Sequence, residues 1–357
     1  MQRMASAGMV SHAIGLSNAD ACRRAAIGLA IVAALTATPP AQAQVAAAET
    51  QFFRIGSGVV DSPSFAVAGI VAAGLSSPPG ARPCDRGGSC GVPGMIALAQ
   101  AIGSPAEAIE LLEQRQIDAI LVPAGDAYRA YTSKRADGAR PREPLRTVAT
   151  VFVEAVHVVV RDSSRFETVD DLKRRAVAAA TDDPTAVSFL QLYQTQLGLD
   201  GRKPAPPLAV QAGLQRLADS RIDALMLSGA PPMPALVEFA HLMPMRLLAV
   251  PPAPTARLPY LTDIKLAAGT YAGADAIELP ALPTQLFVSG AADPNRVEAI
   301  TRALWNEASQ KLLTAGPPVA RTAKLERALA GVAVPLHPGA ARVYRDAGIL
   351  NATPVGE

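Results

Sequence analysis

The sequence predicts an α/β protein with two lobes, each a central sheet flanked by helices, joined by two crossing strands. Strand and helix patterns alternate as β-α-β-α-β after residue 50, which is typical of a parallel sheet. Two apolar segments, residues 147–161 and 277–289, are long enough to cross from one lobe to the other. With 357 residues, 50% of them hydrophobic, the chain can bury the cores of two domains.

The first element is a short apolar strand at residues 52–55, followed by Gly56, Ser57 and Gly58. The two glycines predict a sharp turn, and Ser62 with Pro63 predicts a capped helix start. Such a loop presents unpaired backbone N–H groups to an anion or carboxylate. A plain turn that needs small residues is the alternative, and no Gly-Lys-Ser/Thr follows that would make a phosphate loop.

The next elements repeat this order. A second strand is predicted at residues 92–101, Ser104 and Pro105 start a second helix, and a third strand follows at residues 118–122. Tyr128 and Tyr131 share one helix face, either in the core or lining a cleft. Further elements are predicted after the first crossing strand. The helices are a short one at 168–173, one from Asp183 to 196, one at 213–219, a long one at 295–314 and one at 323–329. The strands are 176–180, 222–227 and 247–250, and residues 230–234 form a loop.

Residues 1–43 have the pattern of a secretory signal peptide. Arg23 and Arg24 precede an apolar run at 25–37, and residues 41–43 form a small-x-small cleavage site near Ala43. An N-terminal core helix is the alternative. We therefore divide the chain into the signal (1–43), lobe 1 (44–153 plus 286–357) and lobe 2 (154–285).

Charge and cysteine content narrow the functional classes. Removal of residues 1–43 leaves 30 basic and 30 acidic residues, with 4% aromatics in the whole chain, so nucleic-acid binding is not expected. Cys84 and Cys90 remain as a pair, which in an oxidising compartment predicts a disulfide. A metal site is the alternative, but no histidine is nearby.

No catalytic residue, metal ligand or cofactor site is predicted. Ser57 lacks the five-residue Gly-x-Ser-x-Gly pattern, and His157 and His337 are interpreted as structural, with ligand contact open for His157. Arg161 either binds a ligand carboxylate or is an exposed strand end. The acidic loop ends are interpreted as solvated, or as able to bind a cation or amine: Asp61, Asp126, Asp182 and Asp183.

Seven short motifs occur in order across residues 52–350, among them Ile55-Gly-Ser-Gly58, Thr168-Val-Asp-Asp-Leu-Lys173 and Pro335-Leu-His-Pro-Gly-Ala340. With these motifs the chain resembles the TAXI family, the substrate-binding subunits of TRAP (tripartite ATP-independent periplasmic) transporters. The resemblance implies a type II periplasmic binding protein fold, a periplasmic location and no enzymatic activity. It also implies a protein that closes over a small solute, such as an amino acid or organic acid, and delivers it to TRAP membrane subunits. We expect the protein to be a monomer.

The resemblance also implies the ligand-facing positions. In lobe 1 these are Gly56, Ser57, Gly58, Ser64, Phe65, Gly103, Ser104 and Asp126. In lobe 2 they are Thr181, Thr185, Ser228 and Gly229.

Three loops depart from the family pattern: Pro123-Ala124-Gly125, the segment from Thr181 to Thr185, and Met233. They replace amide and hydroxyl donors with apolar and acidic groups, which weakens the expectation of a dicarboxylate ligand. An orphan or sensor-linked periplasmic receptor with a more apolar ligand is therefore the alternative. A secreted α/β hydrolase is a third class, and it would require ester hydrolysis that Ser57→Ala abolishes.

Overall fold

The computed structural model describes residues 50–133, 145–199 and 206–350. The predicted signal peptide, with its cleavage point near Ala43, and residues 134–144 lie outside these ranges. In the part of the chain that is described, no helix has the length and apolar character needed to span a membrane.

The strands are β1 (Gln51–Ser57), β2 (Ser76–Ser77), β3 (Val92–Pro93), β4 (Met95–Ala101), β5 (Ala119–Pro123), β6 (Leu145–Arg161), β7 (Val177–Ala180), β8 (Ala224–Gly229), β9 (Met245–Leu248), β10 (Thr262–Leu266) and β11 (Ile277–Ser289). The helices are α1 (Pro63–Leu75), α2 (Pro105–Glu113), α3 (Ala124–Thr132), α4 (Val187–Gln196), α5 (Val210–Ala218), α6 (Pro234–Leu242), α7 (Pro294–Trp305), α8 (Glu307–Ala315) and α9 (Pro338–Asp346).

One mixed sheet has the order β3-β2-β4-β1-β5-β11-β6-β8-β7, with β10 beside β11 and β9 beside β6. Strands β4, β1 and β5 are parallel, as are β7 and β8, so the carboxyl ends within each group lie at one edge. Helices cover both faces of the sheet, with apolar clusters beneath them. The α/β class predicted from the alternating pattern is confirmed.

Two long central strands link the halves of this sheet. The first part of β6 pairs with the end of β11, and its last part pairs with β8 and β9. Strand β11 in turn pairs with β5 near its end and with β10 near its start. Both predicted crossing strands are confirmed, and the arrangement is the one expected of a type II binding protein. The residue boundaries of the lobes stay a prediction.

The predicted helix starts are confirmed by their hydrogen bonds. The Ser62 hydroxyl accepts from Phe65 N at 3.2 Å, and Pro63 opens α1. The Ser104 hydroxyl accepts from Glu107 N at 3.2 Å at the start of α2. Each serine satisfies an N–H that the helix itself leaves without a partner.

Three predicted elements were wrong in detail. The helix predicted at 295–314 divides at Asn306, where the backbone is extended and the side-chain Oδ1 accepts from Ser309 N to cap α8. The helix predicted at 323–329 is replaced by 3₁₀ turns at Ala320–Thr322 and Leu325–Arg327. The strand predicted at 92–101 divides at Gly94, where φ is +78°.

The predicted disulfide is confirmed. Cys84 and Cys90 are bonded, with 4.6 Å between their Cα atoms. Asn306 Nδ2 donates to Cys90 O at 2.8 Å and ties the loop to the start of α8. The disulfide uses both sulfurs, so these two cysteines do not form the alternative metal site.

Candidate functional site

A cavity of about 150 Å³ lies where the carboxyl ends of β1, β4 and β5 meet, and we call it the serine cavity. Ligands of parallel α/β sheets bind at such an edge. Pro184, from the other half of the sheet, closes one side. The lining includes six of the residues predicted to face a ligand: Ser57, Gly58, Ser64, Gly103, Ser104 and Thr185.

A second cavity, of about 220 Å³, lies at the carboxyl ends of β7 and β8, and we call it the aspartate cavity. Asp182 and Asp183 line it from the segment after β7. Ser228 and Gly229, at the end of β8, line it as predicted, and Met233 covers another side. Both halves of the sheet therefore contribute strand ends to this region.

The two cavities adjoin. Pro63 lines the aspartate cavity, and the next residue, Ser64, lines the serine cavity. Likewise, Asp183 lines the aspartate cavity, and the next residue, Pro184, lines the serine cavity. A wider outer groove of about 680 Å³ shares Pro234 and Pro318 with the aspartate cavity. The outer groove carries basic side chains, including Arg321, Lys324 and Arg327.

The serine hydroxyls of the serine cavity differ in whether they already form hydrogen bonds within the protein. Ser57 Oγ donates to Leu121 O at 3.3 Å, and Ser104 Oγ caps α2. Ser64 is buried, and its Oγ has no hydrogen-bond partner among the described residues. A buried hydroxyl is normally satisfied, so Ser64 is available to a ligand.

Asp182 and Asp183 have different roles, and each accepts hydrogen bonds from the protein. Asp182 Oδ1 accepts from Val210 N at 3.0 Å and so caps α5, because Ala209 has no side chain that can do so. Asp183 Oδ1 accepts from the Thr185 N–H at 2.8 Å and from the Thr185 hydroxyl at 2.7 Å. Asp183 Oδ2 is buried and has no hydrogen-bond partner in the described chain.

Ser228 and Met233 complete this wall. Ser228 is 3% exposed, and its Oγ also has no hydrogen-bond partner within the described ranges. A Cβ atom at Gly229 would lie 2.7 Å from Met233 Cε, so the Met233 side chain packs directly over this glycine. Met233 therefore makes part of the aspartate cavity apolar.

A buried chain of hydrogen bonds fixes the position of Met233. Met233 N donates to Tyr271 Oη at 3.1 Å, and the Tyr271 hydroxyl donates to His157 Nε2 at 3.0 Å. His157 Nδ1 donates to Ala155 O at 3.1 Å. Burial lowers the pKa of His157 to about 4, so the ring is neutral near pH 7, as this bonding pattern requires. The structural interpretation of His157 is confirmed.

Glu154 is a buried acid that the sequence analysis did not single out. It lies on β6 and is 4% exposed. Burial, with the negative charge of Asp183 as a second cause, raises its pKa well above the usual 4.5. Burial also raises the pKa of Asp183, and the bonds from Thr185 oppose that rise. Asp183 lines the aspartate cavity, and its charge acts on the buried Glu154 carboxyl group.

Four predicted ligand-facing residues lie away from both cavity linings. Gly56 is inside β1 rather than in a turn, and a Cβ there would collide with Ile102 and lie 2.6 Å from Ile117 Cδ1. Asp126 forms an ion pair with Arg129 on α3.

The other two are Phe65 and Thr181. Phe65 lies one residue beyond Ser64, on the partly exposed side of α1. Thr181 Oγ1 accepts from Asp183 N at 3.1 Å, which shapes the loop that holds Asp183. Ligand contact by all twelve predicted positions stays a prediction.

Arg161 and Tyr128 also have protein partners. Arg161 Nη1 donates to Leu217 O at 2.6 Å and to Ile222 O at 2.9 Å, so it joins two backbone segments. Tyr128 packs against Tyr260, with ring centroids 5.5 Å apart. Tyr128 therefore packs against the core, as its first alternative predicted, whereas Arg161 is half-buried and bonded to backbone carbonyls and is not an exposed strand end.

Several solved structures are similar to this chain. One is the periplasmic aliphatic sulphonate binding protein of Escherichia coli, with 15% identity, 76% of this chain and 77% of that chain covered, and a TM-score of 0.40. Another is the L-cystine solute receptor of Neisseria gonorrhoeae, with 12% identity, 76% and 95% coverage, and a TM-score of 0.42. A third is the VFT2 domain of Bordetella pertussis BvgS, with 12% identity, 76% and 93% coverage, and a TM-score of 0.38. These scores lie below 0.5, so the fold assignment rests on the sheet order above.

A family match covers most of this sequence. The NMT1-like family matches residues 92–348, from β3 at the first sheet edge to the end of α9. This span holds both crossing strands and most of the residues that line the two cavities. The chain belongs to the NMT1-like family.

Proposed function

We propose that this protein is a periplasmic solute receptor that binds a small organic solute of the amino acid or organic acid class. The solute occupies the serine and aspartate cavities, and rotation about β6 and β11 closes the two halves over it. Like the TAXI proteins that its motifs resemble, the receptor then delivers the solute to TRAP membrane subunits. It acts by binding and not by catalysis.

One observation carries this proposal. Strand ends from both halves of the sheet meet at adjoining cavities, and these cavities contain buried polar atoms without protein partners: Ser64 Oγ, Asp183 Oδ2 and Ser228 Oγ. Buried polar groups without partners are rare in proteins, so their concentration here supports a ligand site. The E. coli and N. gonorrhoeae neighbours carry names that describe binding of a sulphonate and of L-cystine, which agrees with this class of function.

The first test is a thermal-shift screen of the chain from Gln44 onward. The panel contains amino acids, dicarboxylates, 2-oxo acids and apolar carboxylates. A ligand at about 100 times its Kd adds about 2.7 kcal/mol to the free energy of unfolding, which moves Tm by several degrees. A panel without any saturable shift would contradict the receptor function.

A pair of glycine variants locates the binding. Gly103→Leu fills the serine cavity, since the nearest atom to a new Cβ is the flexible Glu107 Oε2 at 3.1 Å. Gly69→Leu adds the same side chain to α1, where nothing lies within 4 Å. We expect the shift to disappear in Gly103→Leu and to persist in Gly69→Leu.

The alternative, an orphan or sensor-linked receptor with a more apolar ligand, rests on the apolar wall that Met233 makes. A shift with apolar carboxylates alone would favour it. Solute uptake by vesicles with TRAP-type membrane subunits, dependent on this receptor, would favour transport.

A further inference from the structure

Two buried side-chain oxygens of residues that line the aspartate cavity, Asp183 Oδ2 and Ser228 Oγ, have no hydrogen-bond partner among the described residues. Asp183 is 3% exposed, and its Oδ2 atom accepts no bond from the described residues. Ser228 Oγ, from a different strand, is equally buried and also has no partner there. These two side chains are independent in sequence, so the shortage of donors belongs to the cavity and not to one loop.

The negative charge of this cavity is not balanced by a protein cation. No described lysine, arginine or histidine lines either the serine or the aspartate cavity. Neither Asp183 nor Glu154 forms a salt bridge in the described part of the chain. The basic side chains Arg321, Lys324 and Arg327 line the outer groove instead.

We propose that the aspartate cavity binds a primary ammonium group of the solute, with Asp183 Oδ2 and Ser228 Oγ as its acceptors. This inference rests on the proposed receptor function and narrows its ligand class. An ammonium group has three donors and no acceptor, which matches two acceptors that lack donors. Because the site is desolvated, each charge-assisted bond there is stronger than it would be in water.

The same groups exclude a carboxylate from this position. A carboxylate in the aspartate cavity would face Asp183 Oδ2 without a cation between them, and like charges in a buried site repel. A bound ammonium would instead offset the burial that raises the pKa of both acids, and the Asp183 charge that raises the pKa of Glu154 further. A dicarboxylate is therefore a poor fit, whereas an amine or an amino acid with its ammonium inward fits.

The test uses three probes with one carbon skeleton: 1,4-diaminobutane, 4-aminobutanoate and butanedioate. They have the same number of carbon atoms and differ in whether each end carries an ammonium or a carboxylate group. Isothermal calorimetry on the mature chain, repeated with the two-carbon to six-carbon homologues, allows for the unknown length of the solute. We expect amine-bearing probes to bind at least tenfold more tightly than the diacid of the same length.

Asp183→Asn is the decisive variant. It keeps an Oδ1 acceptor for both Thr185 bonds but replaces the unpartnered Oδ2 with a donor, so the fold should persist while amine affinity falls at least tenfold. The matched control is Asp170→Asn, where the carboxylate is exposed and paired with Lys173, and amine affinity should be unchanged.

Each other outcome has a distinct meaning. Tighter binding of the diacids, unchanged amine affinity in Asp183→Asn, or no binding by any amine overturns the ammonium inference. The receptor function is judged by the wider screen: a carboxylate whose shift is lost in Gly103→Leu would keep that function and reject the ammonium site.

Discussion

The two sides of the site are built alike but use their polar atoms differently. On the side of β1, β4 and β5, the Ser57 and Ser104 hydroxyls already bond to the protein backbone. On the side of β7 and β8, Asp183 Oδ2 and Ser228 Oγ have no partner among the described residues. The first side therefore mainly holds its own loops in place, and the second side carries most of the free bonding capacity.

This difference separates stability from recognition. Where a polar side chain already bonds to the protein, its removal should lower the free energy of unfolding and leave affinity nearly unchanged. Where a buried polar atom has no partner, its removal should raise the free energy of unfolding and lower the affinity, because folding no longer has to desolvate that atom. Ser64, on the side of β1, β4 and β5, is the exception: its hydroxyl has no partner among the described residues, so its removal should lower the affinity and not the stability.

The largest expected effect is the pH dependence caused by Glu154. Its raised pKa means that the folded protein keeps a proton that the unfolded chain loses near pH 4.5. Stability is therefore fully present below about pH 4.5 and falls as the pH rises towards the folded-state pKa, by up to about 1.4 kcal/mol per pH unit.

Glu154→Gln should remove most of this slope, as measured by Tm between about pH 5 and about pH 7. Glu278→Gln, at an exposed position of β11, is the control and should leave the slope intact. An unchanged slope in Glu154→Gln would mean that Glu154 does not retain its proton in the folded state.

The next effect is structural and concerns Gly56. Gly56→Ala places a Cβ against Ile102 and Ile117, and such overpacking destabilises by about 1–3 kcal/mol. Chemical denaturation measures the change, and ligand affinity of the folded fraction should stay the same. Gly69→Ala, in open space on α1, should be stabilising by up to about 1 kcal/mol. A selective loss of affinity in Gly56→Ala would show that Gly56 does take part in ligand binding.

Ser228→Ala should separate stability from affinity. Removal of a buried hydroxyl without a partner should raise the stability of the free protein by about 1 kcal/mol. Affinity for the solute should fall roughly tenfold, as expected for one lost hydrogen bond. Ser309→Ala is the opposite case, because Ser309 Oγ donates to Ala303 O at 2.6 Å, and it should lower stability without affecting affinity.

The smallest effect is at Ser104. Ser104→Ala removes the cap of α2 and should cost about 1 kcal/mol in denaturant unfolding, with affinity changed less than threefold. Ser64→Ala should show the reverse pattern, a loss of affinity without a loss of stability. Equal affinity losses in the two variants would show that both sides recognise the ligand to the same extent.

Local signals explain what the sequence predicted well. The apolar runs of β6 and β11, and the Ser-Pro pairs before α1 and α2, depend on a few neighbouring residues. Glu154 was missed because one acidic residue in a long strand looks like an exposed position, and its burial arises only when a second layer covers β6. Strand β10 was missed because it is stabilised by pairing with β11 alone.

The site was predictable to the extent that strand ends define it. The loops after β1, β4, β7 and β8 were found because parallel strands bring their carboxyl ends to one edge. Gly56 was misplaced in a turn because a glycine before Ser57 resembles a loop, whereas the absent Cβ accommodates Ile102. Which oxygen of Asp183 caps and which is free depends on tertiary contacts that no sequence pattern encodes.

Because hydrogen bonds link Met233 through Tyr271 to His157, we expect the imidazole to report binding of the proposed solute. With a pKa of about 4, His157 does not titrate near neutral pH, so the ¹⁵N chemical shifts of its ring should not change with small changes in pH there. Any movement of the Met233 loop alters the hydroxyl that bonds Nε2 and shifts that resonance. We therefore expect a single nucleus on a central strand to distinguish the free protein from the protein with the proposed solute bound, without any attached dye.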